Sequence, residues 1–187
     1  MIKAIFLDIG GVIILNRTSQ VYEKWAQKLD IPLKDLKSKM RDFNNQRMKG
    51  EGEKPNFISE EQLIDFQNEL WGTESVNSGL LDFIEKNKDK FTFGIITNNF
   101  KEAEEVILNK FKVPRFYKHF ISSSDIGVLK PDPGIYEKAI SESGFKPEEC
   151  LFIDDSVENT NGAEEVGMVG LQFIDNDQFE REINEKA

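Results

Sequence analysis

The sequence predicts an α/β fold: a doubly wound, Rossmann-like parallel sheet with a small all-helical insertion after its first strand. Three observations predict it. Short apolar runs rich in Ile, Phe and Val alternate with amphipathic stretches of helical period, the pattern of a parallel sheet covered on both faces. The alternation fails once, over residues 16–77, where helical patterns follow one another with no convincing strand. Four polar clusters fall at the ends of four candidate strands, where open α/β sheets bind ligands.

The elements follow in order. Ala4–Leu7 is a short apolar run, too short for a helix, and reads as the first buried strand. The insertion then reads as three helices. Ser19–Leu29 carries Val21, Trp25 and Leu29 on one face. Pro32–Met48 opens with a proline suited to a first turn. Ser59–Trp71 opens with the capping box Ser59…Gln62. Between the last two, residues 49–56 form a polar loop with no core-forming side chain. Gly79–Lys90, with Leu80, Leu81, Phe83 and Ile84, returns to the alternating pattern, and the strand Phe93–Ile96 follows. Lys101–Phe111 is helical through Ala103, Val106, Ile107 and Phe111, and Phe120–Ile121 is the next strand. Pro133–Ser143 is a helix stopped by Gly144, and Leu151–Ile153 a strand. Asn159–Val166 ends at Gly167, Val169–Phe173 is the last strand, and Asp175 with Gln178 caps a final helix.

Composition narrows the chemistry. The 187 residues carry a formal charge of −10, which argues against nucleic acid or an anionic membrane as a partner held by overall positive charge. One cysteine, Cys150, excludes an internal disulfide framework and a Cys-rich zinc site. One histidine, His119, leaves no multi-His metal site and makes a Ser-His triad improbable. The first apolar run is cut off by Asp8 too early for a signal-peptide core, and no stretch nears the roughly 18 apolar residues of a membrane span. The expectation is a soluble cytoplasmic protein whose chemistry runs on carboxylates, hydroxyls, amides and lysine.

Four clusters carry that chemistry, each with an ordinary structural reading beside it. Asp8 ends the first strand, and Gly10 and Gly11 after it allow a tight turn and close backbone approach to a ligand; such an Asp is also a common turn or capping residue. Thr97 and Asn98 end the second strand, where a hydroxyl, an amide and backbone N–H groups can cradle an anionic oxygen, or simply form a polar turn. Lys130 precedes Pro131-Asp132-Pro133, a stiff segment that aims its side chain, although an isolated lysine is usually solvated. Asp154 and Asp155 are adjacent carboxylates after an apolar strand; their repulsion is relieved by a hard cation such as magnesium, or they form a charged turn.

In this order and setting the clusters resemble the haloacid dehalogenase-like (HAD) hydrolase superfamily over nearly the whole chain. The match rests on the strand-Asp-x-x-Gly-Val start, the Thr-Asn strand end, the Lys-Pro-Asp-Pro segment and the Asp-Asp pair with Gly167-Met168 downstream. The layout is similar to the subgroup with a small helical cap, which includes sugar-phosphate phosphatases of the glucose-1-phosphate type and haloacid dehalogenases. The resemblance implies an α/β core of residues 1–15 and 78–187 and a helical cap of residues 16–77. It implies a Mg2+-dependent phosphatase acting on a small phosphorylated metabolite, as a monomer or homodimer. Asp8 would be the nucleophile that forms an aspartyl-phosphate. Asp8, the Gly10 carbonyl and Asp155 would hold magnesium, with Asp154 a secondary or outer ligand. Thr97 and Asn98 would hold phosphoryl oxygens, and Lys130 would offset charge on Asp8 and the phosphoryl group.

One position departs from the family pattern. Most of its phosphatases read Asp-x-Asp, the second Asp moving the proton, and here that place is Gly10. Three readings follow: substrates with good leaving groups such as anomeric sugar phosphates, a proton from a cap residue or water, or a phosphate-ligand-binding protein with impaired or no turnover. A haloacid dehalogenase would share the nucleophile, but Asp154-Asp155 argues against it, because that branch carries neutral residues there. In the cap, Asn16 and Arg17 begin the link, and Arg41, Asn44, Asn45, Arg47 and Trp25 are candidates to face substrate, Trp25 being better placed for core packing. His119 and Cys150 read as structural.

Overall fold

The computed structural model describes residues 1–15, 19–50 and 55–186. The first half comprises β1 (Ala4–Leu7), β2 (Ile14–Leu15), α1 (Ser19–Lys28), α2 (Leu33–Met48), α3 (Glu60–Gly72), β3 (Ser75–Val76), α4 (Ser78–Asn87) and β4 (Thr92–Thr97). The second half comprises α5 (Ala103–Asn109), β5 (His119–Ser122), α6 (Ser123–Ile126), α7 (Pro133–Ser143), β6 (Cys150–Asp154), α8 (Val157–Glu165), β7 (Val169–Gln172) and α9 (Asn176–Lys186). A 3-10 turn at Pro147–Glu149 leads into β6.

Five strands form one parallel sheet in the order β5-β4-β1-β6-β7. The chain crosses from one side of β1 to the other, so β1 lies at the switch point and its carboxyl end opens on the crevice between β4 and β6. The expected doubly wound sheet is what the chain builds, and the side-chain alternation shows why. Ile5 and Leu7 of β1, Leu151 and Ile153 of β6, and Phe93 and Ile95 of β4 face α4, α5 and α9, whose Leu80, Ile84, Ile107, Phe179 and Ile183 complete that core. Ala4, Phe6, Cys150, Phe152 and Ile96 face the other way, onto Ile135, Tyr136 and Ala139 of α7 and Ala163 of α8. Strands buried on both faces need apolar residues at every position, hence the unbroken runs.

The three helices α1–α3 make a layer with its own apolar cluster of Val21, Trp25, Leu36, Met40, Phe43, Ile58 and Phe66. Trp25 is fully buried and meets Phe66 edge-on at 5.6 Å, so it packs rather than faces a ligand. The capping box at the start of α3 forms: Gln62 N donates to Ser59 Oγ at 3.2 Å and Ser59 N donates to Gln62 Oε1 at 3.1 Å. Pro32 stands just before α2 as its N-cap rather than within the first turn.

The reading of residues 16–77 as free of strands needs correction. Ser75 and Val76 pair antiparallel with Leu15 and Ile14, and Asn77 N donates to Ile13 O at 2.9 Å. A two-residue ribbon is too short to show a period of two in sequence. It forms because the chain leaves the sheet and returns to it at the same place, which satisfies both backbones. Among the described residues no helix is long and apolar enough to cross a membrane.

Candidate active site

The site grows from strand ends. Asp8 follows β1 directly, and its backbone N–H continues the ladder by donating to Ile153 O at 2.9 Å. The chain then turns back sharply: Ile13 N and Ile14 N both donate to Ile9 O, and Gly11 N donates to Ile14 O. Gly11 has φ +77°, and a Cβ placed there would lie 2.3 Å from Asp155 Oδ2. Glycine is therefore required twice over, for the left-handed backbone and for the approach of the Asp155 carboxylate.

Lys130 is the hub. Its side chain is 1 % exposed, and Nζ meets Asp8 Oδ1 at 2.9 Å, Asp154 Oδ2 at 2.6 Å and Ile96 O at 3.2 Å. Those three acceptors match its three N–H groups. The Phe152 ring lies 5.2 Å from Nζ. The backbone of Lys130 is held by Asn98, whose Oδ1 accepts from Lys130 N at 2.7 Å and whose Nδ2 donates to Lys130 O at 3.1 Å. Thr97, 1 % exposed, ends β4 beside it.

Asp8, Asp154 and Asp155 each bring a carboxylate oxygen within 4.8 Å of the others. Among the described residues Lys130 is the one cation paired with them, so the cluster carries more negative than positive charge at close range. Burial lifts Asp8 above the ordinary carboxylate range against the pull of Lys130, and Asp154 adds to the rise. Partial burial, then the charges of Asp154 and Asp8, push Asp155 up to about 6. Burial is the larger cause of both shifts, and the mutual repulsion of the carboxylates adds to it. All the side-chain donors are hard oxygens, the set that suits a small divalent cation.

The structure thus brings Asp8, Gly10, Thr97, Asn98, Lys130, Asp154 and Asp155 to one edge of the sheet, at the ends of β1, β4 and β6 or in the loop before α7. It places Asn98's side chain on the Lys130 backbone, a tie the sequence does not announce across 32 positions. In the helical layer Arg41 and Asn45 are exposed and Asn44 half-buried. Arg47 stacks over Phe100 at 4.8 Å and Phe43 at 5.6 Å and lies 3.9 Å from Glu102, lining a cleft of about 420 Å³ with Lys101, Ser124 and Asp125. Asn16 and Arg17 lie outside the described residues. His119 starts β5, at the end of the sheet opposite the site, and Cys150 is buried at the start of β6. Two contributors were not singled out from sequence: Asn159, which donates to both oxygens of Asp154 at 3.0 Å, and Gln172, which donates to Asp155 O at 3.1 Å. Asn159 is legible only as an amide four residues past Asp155, on the first turn of the next helix.

Comparison with known proteins agrees with this fold. The family model described as haloacid dehalogenase-like hydrolase matches residues 2–167. The chain is 32% identical over 80 residues to flavin mononucleotide hydrolase 1 of Arabidopsis thaliana, a match covering 43% of this chain and 33% of that one. It is 34% identical over 89 residues to glyceraldehyde 3-phosphate phosphatase of Pyrococcus furiosus, covering 46% and 36%. The match thus spans about a third of the length of these curated relatives. Among solved structures, a HAD family enzyme of Bacteroides thetaiotaomicron in complex with magnesium and inorganic phosphate superposes with a TM-score of 0.75 at 20% identity, covering 92% of this chain and 94% of that one.

Proposed function

The chain belongs to the haloacid dehalogenase-like hydrolases, and from that premise we propose that it is a magnesium-dependent phosphomonoester hydrolase acting on a small phosphorylated metabolite. The observation that carries this reading is the buried ammonium of Lys130 bridging Asp8 and Asp154, with Asp155 alongside. It joins a carboxylate nucleophile, its neutralising cation and an oxygen-rich cation site at one strand edge. The names of the relatives, a flavin mononucleotide hydrolase and a glyceraldehyde 3-phosphate phosphatase, support a phosphate ester as substrate. The magnesium and phosphate bound by the Bacteroides neighbour support the choice of metal.

On this reading residues 16–77 cap a core of residues 1–15 and 78–187. Asp8, the Gly10 carbonyl and Asp155 would hold the ion, with Asp154 behind them. When bound, the ion would supply charge stabilisation at the phosphoryl oxygens. Asp8 attacks phosphorus, the bond to the leaving oxygen breaks, and the phosphoryl group passes to the Asp8 carboxylate. Lys130 offsets the charge on Asp8 throughout. Thr97 and Asn98 orient the phosphoryl oxygens; because both polar ends of the Asn98 side chain hold Lys130, its backbone is the part free for this task. Water then attacks phosphorus, and the bond between phosphorus and the Asp8 oxygen breaks to give inorganic phosphate and the free Asp8 carboxylate. Solvent exchanges the protons of the attacking water and the departed oxygen.

Gly10 can take no part in proton transfer, a contribution of on the order of 10²–10⁴-fold elsewhere. That favours substrates whose leaving group needs little protonation, such as anomeric sugar phosphates. It also supports a second reading, a phosphate-binding protein without turnover. The test is a panel of p-nitrophenyl phosphate, sugar 1-phosphates and alkyl phosphomonoesters at saturating magnesium, beside Asp8→Asn. Magnesium-dependent phosphate release by the parent protein alone, with a phosphoryl adduct on Asp8 by mass spectrometry after brief exposure, is the expected result. Background rates from both proteins across the panel would sink the hydrolase and leave the binding protein.

A further inference from the structure

Asp154 and Asp155 are neighbours of identical chemistry, yet the structure treats them in opposite ways. Asp154 is fully buried, and its carboxylate accepts four hydrogen bonds. Oδ1 takes Ser156 N at 2.9 Å and Asn159 Nδ2 at 3.0 Å; Oδ2 takes Lys130 Nζ at 2.6 Å and Asn159 Nδ2 at 3.0 Å. A carboxylate has about four acceptor sites, so Asp154 has none to spare. Among the described residues the Asp155 carboxylate is reached by no nitrogen donor; it lies against the Asp154 carboxylate, and its backbone oxygen accepts from Gln172 Nε2. The Asn159 amide has one sensible orientation: turned over, its oxygen would face both oxygens of a carboxylate.

Asn159 is itself fixed. Its backbone oxygen accepts from Tyr136 Oη at 2.7 Å, and Tyr136 is fully buried on α7 with its ring 5.4 Å from Phe152. Tyr136 and Lys130 belong to one segment, joined through Pro131 and Pro133. The hydrogen bonds therefore close a ring, from Lys130 to Asp154, to Asn159, to Tyr136 and back along the chain.

We propose that Asn159, braced by Tyr136, is a positioning residue that saturates Asp154 so that it orients Lys130 and stays out of the cation shell, leaving Asp155 as the cation-facing carboxylate. The proposal deepens the hydrolase reading above and rests on it for its kinetic consequence, but not for its effect on cation binding. Removing the amide frees two acceptor sites on Asp154. The freed carboxylate then turns toward a bound cation and away from Lys130, which tightens the cation and spoils the alignment of Lys130 with Asp8.

The test is calorimetric titration of the full chain with MgCl2 alone, in parallel with steady-state kinetics, for the parent protein, Asn159→Ala and Tyr136→Phe. Asn159→Ala should bind magnesium about threefold or more tightly, since an added carboxylate ligand strengthens a hard-cation site. Its kcat should fall about 10- to 100-fold with KM little changed. Tyr136→Phe, which keeps the ring and loses only the hydroxyl, should move both quantities the same way by less. Damage to the fold alone would weaken magnesium binding, so tighter binding with slower turnover is specific to positioning. Unchanged or weaker magnesium binding by both variants overturns the assignment. A parent protein that binds magnesium but hydrolyses no phosphate ester overturns the functional reading, and the calorimetric comparison still decides the role of Asn159.

Discussion

At the carboxyl edge of the sheet, Asp8, Lys130, Asp154 and Asn159 meet through short, directional bonds, each group engaged with the next. In the helical layer, Trp25, Phe66, Met40 and Leu36 meet through apolar contact alone. The first arrangement is exacting, since each group is oriented by directional bonds to its partners and loses its alignment when one is changed. The second is graded, since burial is non-directional and loses stability in proportion to the volume removed. The two regions also touch through a few polar and cation–π contacts: Arg47 over Phe100, Lys110 Nζ over Trp71 at 3.9 Å, and Ser123 Oγ donating to Met48 O. Changes at the strand edge should abolish chemistry while the fold survives. Changes in the helical layer should cost stability while the strand edge keeps its geometry.

The sharpest probe is Asp8→Asn, which should lower magnesium-dependent phosphate release by about 10³-fold or more and leave the melting temperature close to that of the parent. A collapse of the fold would show that the two regions are not separable. Trp25→Ala is the counterpart. It empties the centre of the helical layer and should cost about 3–5 kcal/mol by denaturant unfolding, with magnesium affinity of the folded protein unchanged. Lost magnesium affinity under native conditions would break the comparison.

A smaller effect concerns pH. Without magnesium, Asp155 titrates at about 6 in the folded chain, against an ordinary 3.8. Proton binding then favours the folded state, so this contribution is fully present below about pH 4 and is lost as pH rises through about 6. The melting temperature of the magnesium-free protein should fall over that window more than that of Asp155→Asn, and saturating magnesium should remove the difference. Equal slopes for the two proteins would show that burial and the neighbouring charges do not raise Asp155. The smallest expected change is Arg47→Ala, whose ion pair at 3.9 Å is half exposed and worth at most about 1 kcal/mol. It should raise KM a few-fold through the contact between the layers, with kcat and magnesium affinity held, a split that steady-state kinetics reads directly.

Legibility in the sequence followed the range of the interaction. Ser59 and Gln62 announced the start of α3 because a capping box is closed within four residues. The unbroken apolar runs announced a sheet buried on both faces, and Asp8, Thr97 and Asp154 stood out because they end those runs. The pairing of Ser75 with Leu15 escaped notice, since a ribbon of two residues per strand has no periodicity and exists only because distant chain ends are brought together.

By itself, then, the sequence determined which elements form and which residues stand at the strand ends, because period, capping and strand termination are local properties of the chain. Tertiary structure alone decided how those residues divide the work. The Asn98 side chain is tied to the Lys130 backbone, a partner 32 residues away that the strand end alone does not indicate. Asp154 and Asp155 are identical in type and adjacent in the chain, yet one is buried under four hydrogen bonds while the other lies open against Gly11. The reason is physical: a side chain's role at a site depends on which of its acceptor and donor positions remain free, and those are consumed by partners that only the fold brings near.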